Sequence, residues 1–234
     1  MYSALLVIIY LAFISLGLPD TLLGSAWPQM HIELNTSLSS AGIITMIISM
    51  GTVISSLFSD RLNIKLGTGK VTAISVLMTA VALLGFSLSH SFIILCVLAV
   101  PYGLGAGAVD AALNNYVALH YSSKHMSWLH CFWGVGASIG PYIIGTCMAY
   151  GLGWRGGYSV ISVLQFTLTA ALFITLPLWK KVENSENNVI NGNNERTQEE
   201  PQERKAKSLS EVLHIKGVIY ILFAFFCYSA VEQT

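Results

Sequence analysis

The sequence predicts an all-α, polytopic membrane protein, and three observations lead to that prediction. Of its 234 residues, 54% are hydrophobic and only 10% are charged, whereas a soluble domain carries about 25% charged residues. The apolar residues form six long runs, each close to the ~20 residues with which a helix crosses a bilayer. Two of the runs share a motif at a spacing of 90 residues, which predicts two inverted repeats of three helices each.

The six runs follow one another with short polar segments between them. They extend over about Ser3–Met30, Ser40–Phe58, Val71–Leu88, Phe92–His120, Met126–Leu152 and Tyr158–Trp179. We therefore expect a six-helix membrane domain over residues 1–179. A polar linker rich in Asn, Glu, Gln and Lys follows over residues 180–216, and residues 217–234 begin a seventh helix that stops before a full span.

The basic residues predict the orientation of these spans. If the N-terminus is cytoplasmic, 11 of the 12 Lys and Arg residues fall on the cytoplasmic side, and Arg155 is the exception. When the four cations inside the linker are left out, the ratio is still seven to one. By the positive-inside rule, we expect a multi-pass protein of the cell membrane whose N-terminus and linker are cytoplasmic.

The repeated motif is G-x-x-D-x-x-L, which occurs at Gly17–Leu23 and again at Gly107–Leu113. Its aspartates, Asp20 and Asp110, are the only carboxylates inside the six runs. A charge at the bilayer centre costs roughly 3 kcal/mol on insertion scales, so such residues usually face a cavity or a pathway. The alternative is that both aspartates are satisfied by hydroxyl and backbone groups and hold helices together.

Further polar residues share helix faces with these aspartates. Asn114 lies four residues after Asp110 and therefore on the same face, and Trp27 falls on the face that carries Asp20. A carboxyl group in such surroundings can take a proton from one side of the membrane and release it to the other. We therefore interpret Asp20 and Asp110 as proton-coupling residues.

Four segments carry a resemblance to a known family. The first contains Ser59-Asp60-Arg61, followed by Lys65, Gly67, Gly69 and Lys70. The second is Gly17-Leu18-Pro19-Asp20, and the third is the run from Asp110 to Tyr116. The fourth is Leu129–Gly136, followed by Gly140-Pro141. The first segment resembles the G-x-L-x-D-R-x-G-R-K signature of the major facilitator superfamily, with Ser56 in place of the leading glycine and a longer gap before Gly67. The run from Asp110 is similar to the acidic-x-x-x-Asn-Pro-Tyr run of fucose permease, with Asn115 replacing the proline. Together they resemble the N-terminal half of a fucose–galactose–glucose:proton symporter.

The resemblance implies roles for individual residues. Asp20 and Asp110 would be the coupling carboxylates, and Asn114 would bind substrate. The candidates for a conformation-dependent gating lock are Asp60, Arg61 and Lys70. The linker would join two six-span halves, and the proton would be the coupling ion, with no cofactor.

Four further residues complete the candidate substrate site. They are Asn115, His130, Gln165 and Trp27. His130 could relay protons, bind a hydroxyl group or hydrogen-bond a neighbouring helix. Gln165 could donate to a sugar hydroxyl, although a hydrogen bond between helices is the commoner role for a lone amide. Trp133 could stack on a pyranose ring or simply pack.

These features predict a secondary transporter that moves a small polar solute, a sugar, together with protons by alternating access. An efflux antiporter of drugs or metabolites is the alternative within the superfamily, and the Gly140-Pro141 pair is typical of many antiporters. A truncated, inactive fragment that lacks its C-terminal half is another. We expect no enzyme, metal site or nucleic-acid partner, because the sequence has no H-E-x-x-H, G-x-S-x-G or paired metal-ligand spacing. The expected partners are the lipid bilayer, the solute and the missing C-terminal half.

Overall fold

The computed structural model describes residues 2–197 and 209–232, and its elements there are helices. In chain order they are α1 (Tyr2–Asp20), α2 (Leu22–Glu33), α3 (Ala41–Leu66), α4 (Thr68–Leu88), α5 (Phe92–His120), α6 (Ser123–Ala149), α7 (Gly153–Thr197), α8 (Leu209–Leu213) and α9 (Val218–Glu232), with one 3₁₀ turn at Leu38–Ser40. Residues Met1–Glu199 form one compact unit and Glu200–Thr234 a second. The first unit therefore contains α1 to α7.

Within the described residues, six segments are long and apolar enough to cross a membrane. They are Ala4–Glu33, Leu38–Leu66, Thr68–Leu88, Phe92–His120, Ser123–Ala149 and Gly153–Trp179. This confirms the predicted all-α fold with six spans. The second span is longer than predicted: α3 continues past Phe58 to Leu66 because nothing interrupts it before Gly67, whose φ of 81° ends the helix.

The first apolar run is interrupted directly after Asp20, where α1 ends, and α2 begins at Leu22 after a single intervening residue. Pro19 has no N–H to donate, which frees the carbonyl of Ser15 four residues earlier. The side-chain amide of Gln165 on α7 donates to that carbonyl at 2.6 Å. The interruption is thus stabilised by a polar group from another helix, as a break inside a membrane requires.

A second carbonyl that a proline leaves without a donor is satisfied by the residue that follows Asp20. Pro141 in α6 frees the carbonyl of Ala137, and the hydroxyl of Thr21 donates to it at 2.8 Å. Thr21 is the single residue between α1 and α2. Two prolines on different helices therefore leave carbonyls that side chains from elsewhere in the chain satisfy, and both contacts fix the chain beside Asp20.

Three of the four most extensive helix pairings follow the inverted repeat. They are α3 with α5, α4 with α7 and α1 with α6, and the fourth is α4 with α5. A Cβ added at Gly17 would collide with the backbone of Trp133 on α6, and one added at Gly107 would collide with the backbone of Thr52 on α3. Since the first and fourth spans are equivalent in the repeat, the two glycines make equivalent contacts, each allowing close approach to a partner helix.

The interior of the six-span unit has two large apolar clusters, with polar residues between them, and a small third cluster of Val71, Ala108 and Ala112. One cluster includes Leu22 and Tyr158, and the other includes Leu5 and Leu113. Along α1, α4 and α7, the residues between the clusters are Ser15, Thr79 and Gln165, all of them buried. These three helices therefore each place a buried polar side chain between the two large apolar clusters.

The predicted linker begins as helix. α7 does not end at Trp179 but continues to Thr197, so the first part of the segment 180–216 extends the sixth span. In the second unit, α9 covers Val218–Glu232 within the predicted seventh apolar run, and α8 is a short helix before it.

Candidate functional site

Asp20 is held by side chains from two other helices. The indole Nε1 of Trp133 on α6 donates to its Oδ2 at 2.9 Å, and the hydroxyl of Tyr102 on α5 donates to its Oδ1 at 3.2 Å. The Tyr102 side chain is buried, whereas Asp20 is exposed on the surface of the unit. The carboxylate therefore joins three helices and remains accessible.

Close packing of α1 on α6 brings Trp133 within reach of Asp20. Gly17 lies against the backbone of Trp133, and Gly136 and Gly140 lie against the carbonyls of Ile14 and Leu18. None of the three glycine positions has room for a side chain. The helices approach so closely that an indole on one reaches a carboxylate on the other.

Asp110 has a second set of polar neighbours. Asn114 Nδ2 donates to its Oδ1 at 2.9 Å. The two side chains, which their spacing predicted to share a helix face, are therefore in contact. His130 on α6 is close enough to Asp110 for an electrostatic interaction, and the like charges of Asp110 and Asp20 repel each other. Asp110 and Asn114 are half-buried, while His130 is exposed.

Two other predicted substrate-binding residues have contacts elsewhere, and a third points away from Asp110. The buried indole of Trp27 donates to the carbonyl of Leu38 at 2.7 Å and packs against Phe92. The buried Gln165 accepts from the Ser15 hydroxyl at 2.7 Å, in addition to its bond to the Ser15 carbonyl. Asn115 is exposed and, as the neighbour of Asn114, points about 100° away around α5.

The candidate gating residues flank the connection between α3 and α4. Asp60 and Arg61 lie in the last two turns of α3, and Lys70 lies in the first turn of α4. All three side chains are exposed. The predicted second span ended at Phe58 and left Asp60 and Arg61 outside it, whereas α3 continues to Leu66 and includes both.

Sequence reasoning missed Tyr102 as a site residue and did not identify the contact of Trp133. A usable signal was present, because a phenol or indole inside an apolar span needs a hydrogen-bond partner, and the six apolar runs of the sequence contain only two carboxylates. The pairing itself was not predictable, since Trp133 and Asp20 are separated by 113 residues.

The interior of the bundle has little room for a solute beside this site. A cavity of about 10 Å³ lies among α1, α4, α5 and α7 and is lined by residues that include Ser15, Tyr102 and Gln165. That is about the size of one water molecule, whereas small-molecule pockets measure ~300–1,000 Å³. A ligand of Asp20 would therefore approach from the exposed side. Among the described residues, no three His, Cys, Asp or Glu side chains are grouped so that they could hold a metal ion.

Six helical spans whose apolar runs contain two carboxylates, Asp20 and Asp110, each contacted by polar side chains, are features of a membrane transporter. The sequence model of the Major Facilitator Superfamily matches residues 9–234, and the chain belongs to this superfamily. This confirms the predicted superfamily, and the match fits the N-terminal half of its fold.

Curated relatives are distant. An uncharacterized transporter, y4wD, of Sinorhizobium fredii is 25% identical over 116 residues, which cover 48% of this chain and 31% of the relative. Synaptic vesicle glycoprotein 2B of Rattus norvegicus is 24% identical over 178 residues, covering 73% of this chain and 26% of that protein. The chain thus spans between a quarter and a third of the length of these relatives.

Proposed function

We propose that this chain is the N-terminal half of a proton-coupled secondary transporter that moves a small polar solute, a sugar, across the cell membrane by alternating access. The observation that carries the proposal is the carboxylate of Asp20, which is exposed and yet bound by Tyr102 and Trp133 from two other helices. The resemblance to fucose–galactose–glucose:proton symporters supports the choice of solute and ion.

Protonation of Asp20 would alter the contacts of three helices. An ionised carboxylate accepts both hydrogen bonds, whereas a protonated one must place its own O–H. The indole of Trp133 can only donate, and the hydroxyl of Tyr102 can donate or accept. A proton on Asp20 therefore weakens or rearranges the bonds between α1, α5 and α6, which is the kind of switch that proton coupling requires.

Asp110 and its neighbours provide hydrogen-bonding groups suited to a polyhydroxylated solute. The carboxylate accepts, the amide of Asn114 donates and accepts, and the imidazole of His130 does either according to its tautomer. Asn114 and Asp110 already bond to each other, so a solute hydroxyl could insert between them. This group is the proposed solute contact of the half.

A second six-helix half would cover the exposed side of Asp20. The interior cavity beside the site is too small for a sugar, so the solute pocket needs a facing surface. Substrate and ion sites in transporters built from repeats lie near the midplane at such interfaces. In this arrangement the N-terminus and the linker are cytoplasmic, as the distribution of basic residues predicts.

The test is solute uptake by the full-length transporter in proteoliposomes with an imposed pH gradient. Asp20→Asn and Asp110→Asn should each lower gradient-driven uptake at least ten-fold, and Asp20→Asn should retain exchange of solute across the membrane without a gradient. Glu33→Gln is the matched control, because it neutralises a carboxylate outside the site and should leave uptake intact.

Undiminished gradient-driven uptake in both aspartate variants would reject the proton coupling. A screen of labelled sugars against lipophilic cations would decide between the symporter and an efflux antiporter. The same assay on the 234-residue chain would show whether this half is active by itself or is an inactive fragment.

A further inference from the structure

An apolar groove of about 300 Å³ lies between α3 and α4, with α5 as its floor. Its lining includes Ile54, Phe58 and Leu62 from α3, Ile74 and Met78 from α4, and Ala108 from α5. Ile74, Phe58 and Ile54 are each more than 40% exposed, so the groove is open at the surface of the spans. The groove is therefore accessible from outside this unit.

One end of this groove is basic. On α3, Arg61 and Lys65 follow Phe58 by three and seven residues and lie on the same face of the helix. Both side chains are exposed, as is Lys70 at the start of α4. Asp60 lies two residues from Phe58, which turns its side chain about 200° away from the groove. The cations are therefore adjacent to the groove, and the neighbouring carboxylate is not.

The dimensions of the groove define its occupant. From Ile54 to Leu66, α3 rises about 18 Å, which is slightly more than half of a hydrocarbon core of ~30 Å. A helix segment of that length, ~10 Å across, would occupy more than ~1,000 Å³, several times the volume of about 300 Å³ in the groove. A helix with side chains is ~10 Å across and does not fit, whereas an extended hydrocarbon chain does.

We propose that this groove is a binding site for one anionic phospholipid. An acyl chain lies between α3 and α4, and the phosphate headgroup is bound by Arg61 and Lys65, with Lys70 beside them. Basic pockets at helix ends are known sites for anionic headgroups, and the groove adds a cradle for the chain. A second copy of the protein is disfavoured as the occupant, because it would bring its own cations against Arg61 and Lys65.

The test is native mass spectrometry of the purified chain in micelles that contain equal amounts of phosphatidylglycerol and phosphatidylcholine. The chain should retain phosphatidylglycerol preferentially. Replacing both Arg61 and Lys65 by Gln should lower retention of phosphatidylglycerol about thirty-fold and leave that of phosphatidylcholine unchanged. Lys124→Gln, an exposed cation in the first turn of α6, is the matched control and should behave like the wild type.

A second pair of variants tests the acyl-chain site. Ile74→Trp fills the groove from an exposed position and should lower retention of both lipids. Val81→Trp, two turns further along the same face of α4 and also exposed, should not.

The proposal is overturned if the double variant retains phosphatidylglycerol like the wild type, if Lys124→Gln reduces retention equally, or if Ile74→Trp and Val81→Trp behave alike. It is also overturned if the chain dimerises instead of retaining lipid. Wild-type elution on size exclusion confirms that each variant is folded.

Discussion

The indole of Trp133 donates a hydrogen bond of 2.9 Å to the carboxylate of Asp20, a residue 113 positions earlier in the chain. The bond joins the residue at which the first span is interrupted to the middle of the fifth span. A hydrogen bond to a charged group contributes about 1.5–3 kcal/mol. The free energy of this hydrogen bond is therefore large enough to affect how readily Asp20 takes up a proton.

Removing the indole donor should impair proton-driven transport. In Trp133→Phe the ionised form of Asp20 loses one of its two hydrogen bonds, and we expect proton-driven uptake by the full-length transporter to fall about ten-fold, in line with that free energy. Trp128→Phe on the same helix is the control, because that side chain is exposed. Equal uptake by the two variants would show that the bond has no role in coupling.

The amide of Gln165 should be needed because of Pro19. In Gln165→Leu the Ser15 carbonyl is buried without a donor, and we expect a loss of about 1–3 kcal/mol in the free energy of unfolding. Pro19→Ala restores an N–H that can reach this carbonyl within α1. Denaturation of the four variants of this cycle should therefore show a smaller cost of Gln165→Leu in the Pro19→Ala background. Strictly additive costs would disprove the link.

The glycines of the inverted repeat should tolerate no side chain. Gly17→Ala and Gly107→Ala each force a Cβ into the backbone of a partner helix, and we expect each to lower the free energy of unfolding by about 1–3 kcal/mol. Gly24→Ala and Gly134→Ala are matched controls, because no atom lies within 4 Å of their added Cβ. Those controls should be stabilised by up to about 1 kcal/mol, as measured by thermal unfolding in detergent.

Arg155 should stabilise the end of the unit at which α7 begins. Its guanidinium bonds to the Glu33 carboxylate and to the Ser89 carbonyl, and it lies 4.4 Å from the centre of the Trp154 ring. Because both charged side chains are partly exposed, we expect Arg155→Gln to lower the midpoint of thermal unfolding by only a few degrees, corresponding to about 1 kcal/mol.

Arg155→Lys separates charge from geometry in that contact. Lysine keeps the positive charge but lacks the planar guanidinium that reaches both the Glu33 carboxylate and the Ser89 carbonyl. Arg155→Lys should therefore recover only part of the thermal stability that Arg155→Gln loses. Full recovery by lysine would show that charge alone is responsible.

Much of the fold could be predicted because the physical rules for membrane spans act on local sequence. A helix that crosses hydrocarbon must be apolar for about 20 residues, so the six spans are visible as runs. The equivalence of Asp20 and Asp110 was also visible as a repeated motif. The bond between Asp110 and Asn114 followed from their spacing of four residues along a helix.

Helix ends and distant contacts could not be predicted in the same way. Apolar content ended the second span at Phe58, but α3 continues to Leu66, since a helix needs a conformational stop and Gly67 is the first one available. Gln165 was a candidate ligand from its polarity, and its donation to the Ser15 carbonyl depends on which helix packs beside Pro19.

The sequence by itself determined that this chain spans the membrane six times, that its halves repeat, and that two carboxylates lie inside the spans, because these properties depend on apolar length and residue spacing. The tertiary structure alone decided which side chains bind those carboxylates. Tyr102 and Trp133 reach Asp20 only because α1, α5 and α6 converge there, with glycines bringing α1 and α6 into close contact. Such contacts depend on how helices pack, and packing joins residues whose separation along the chain carries no local signal.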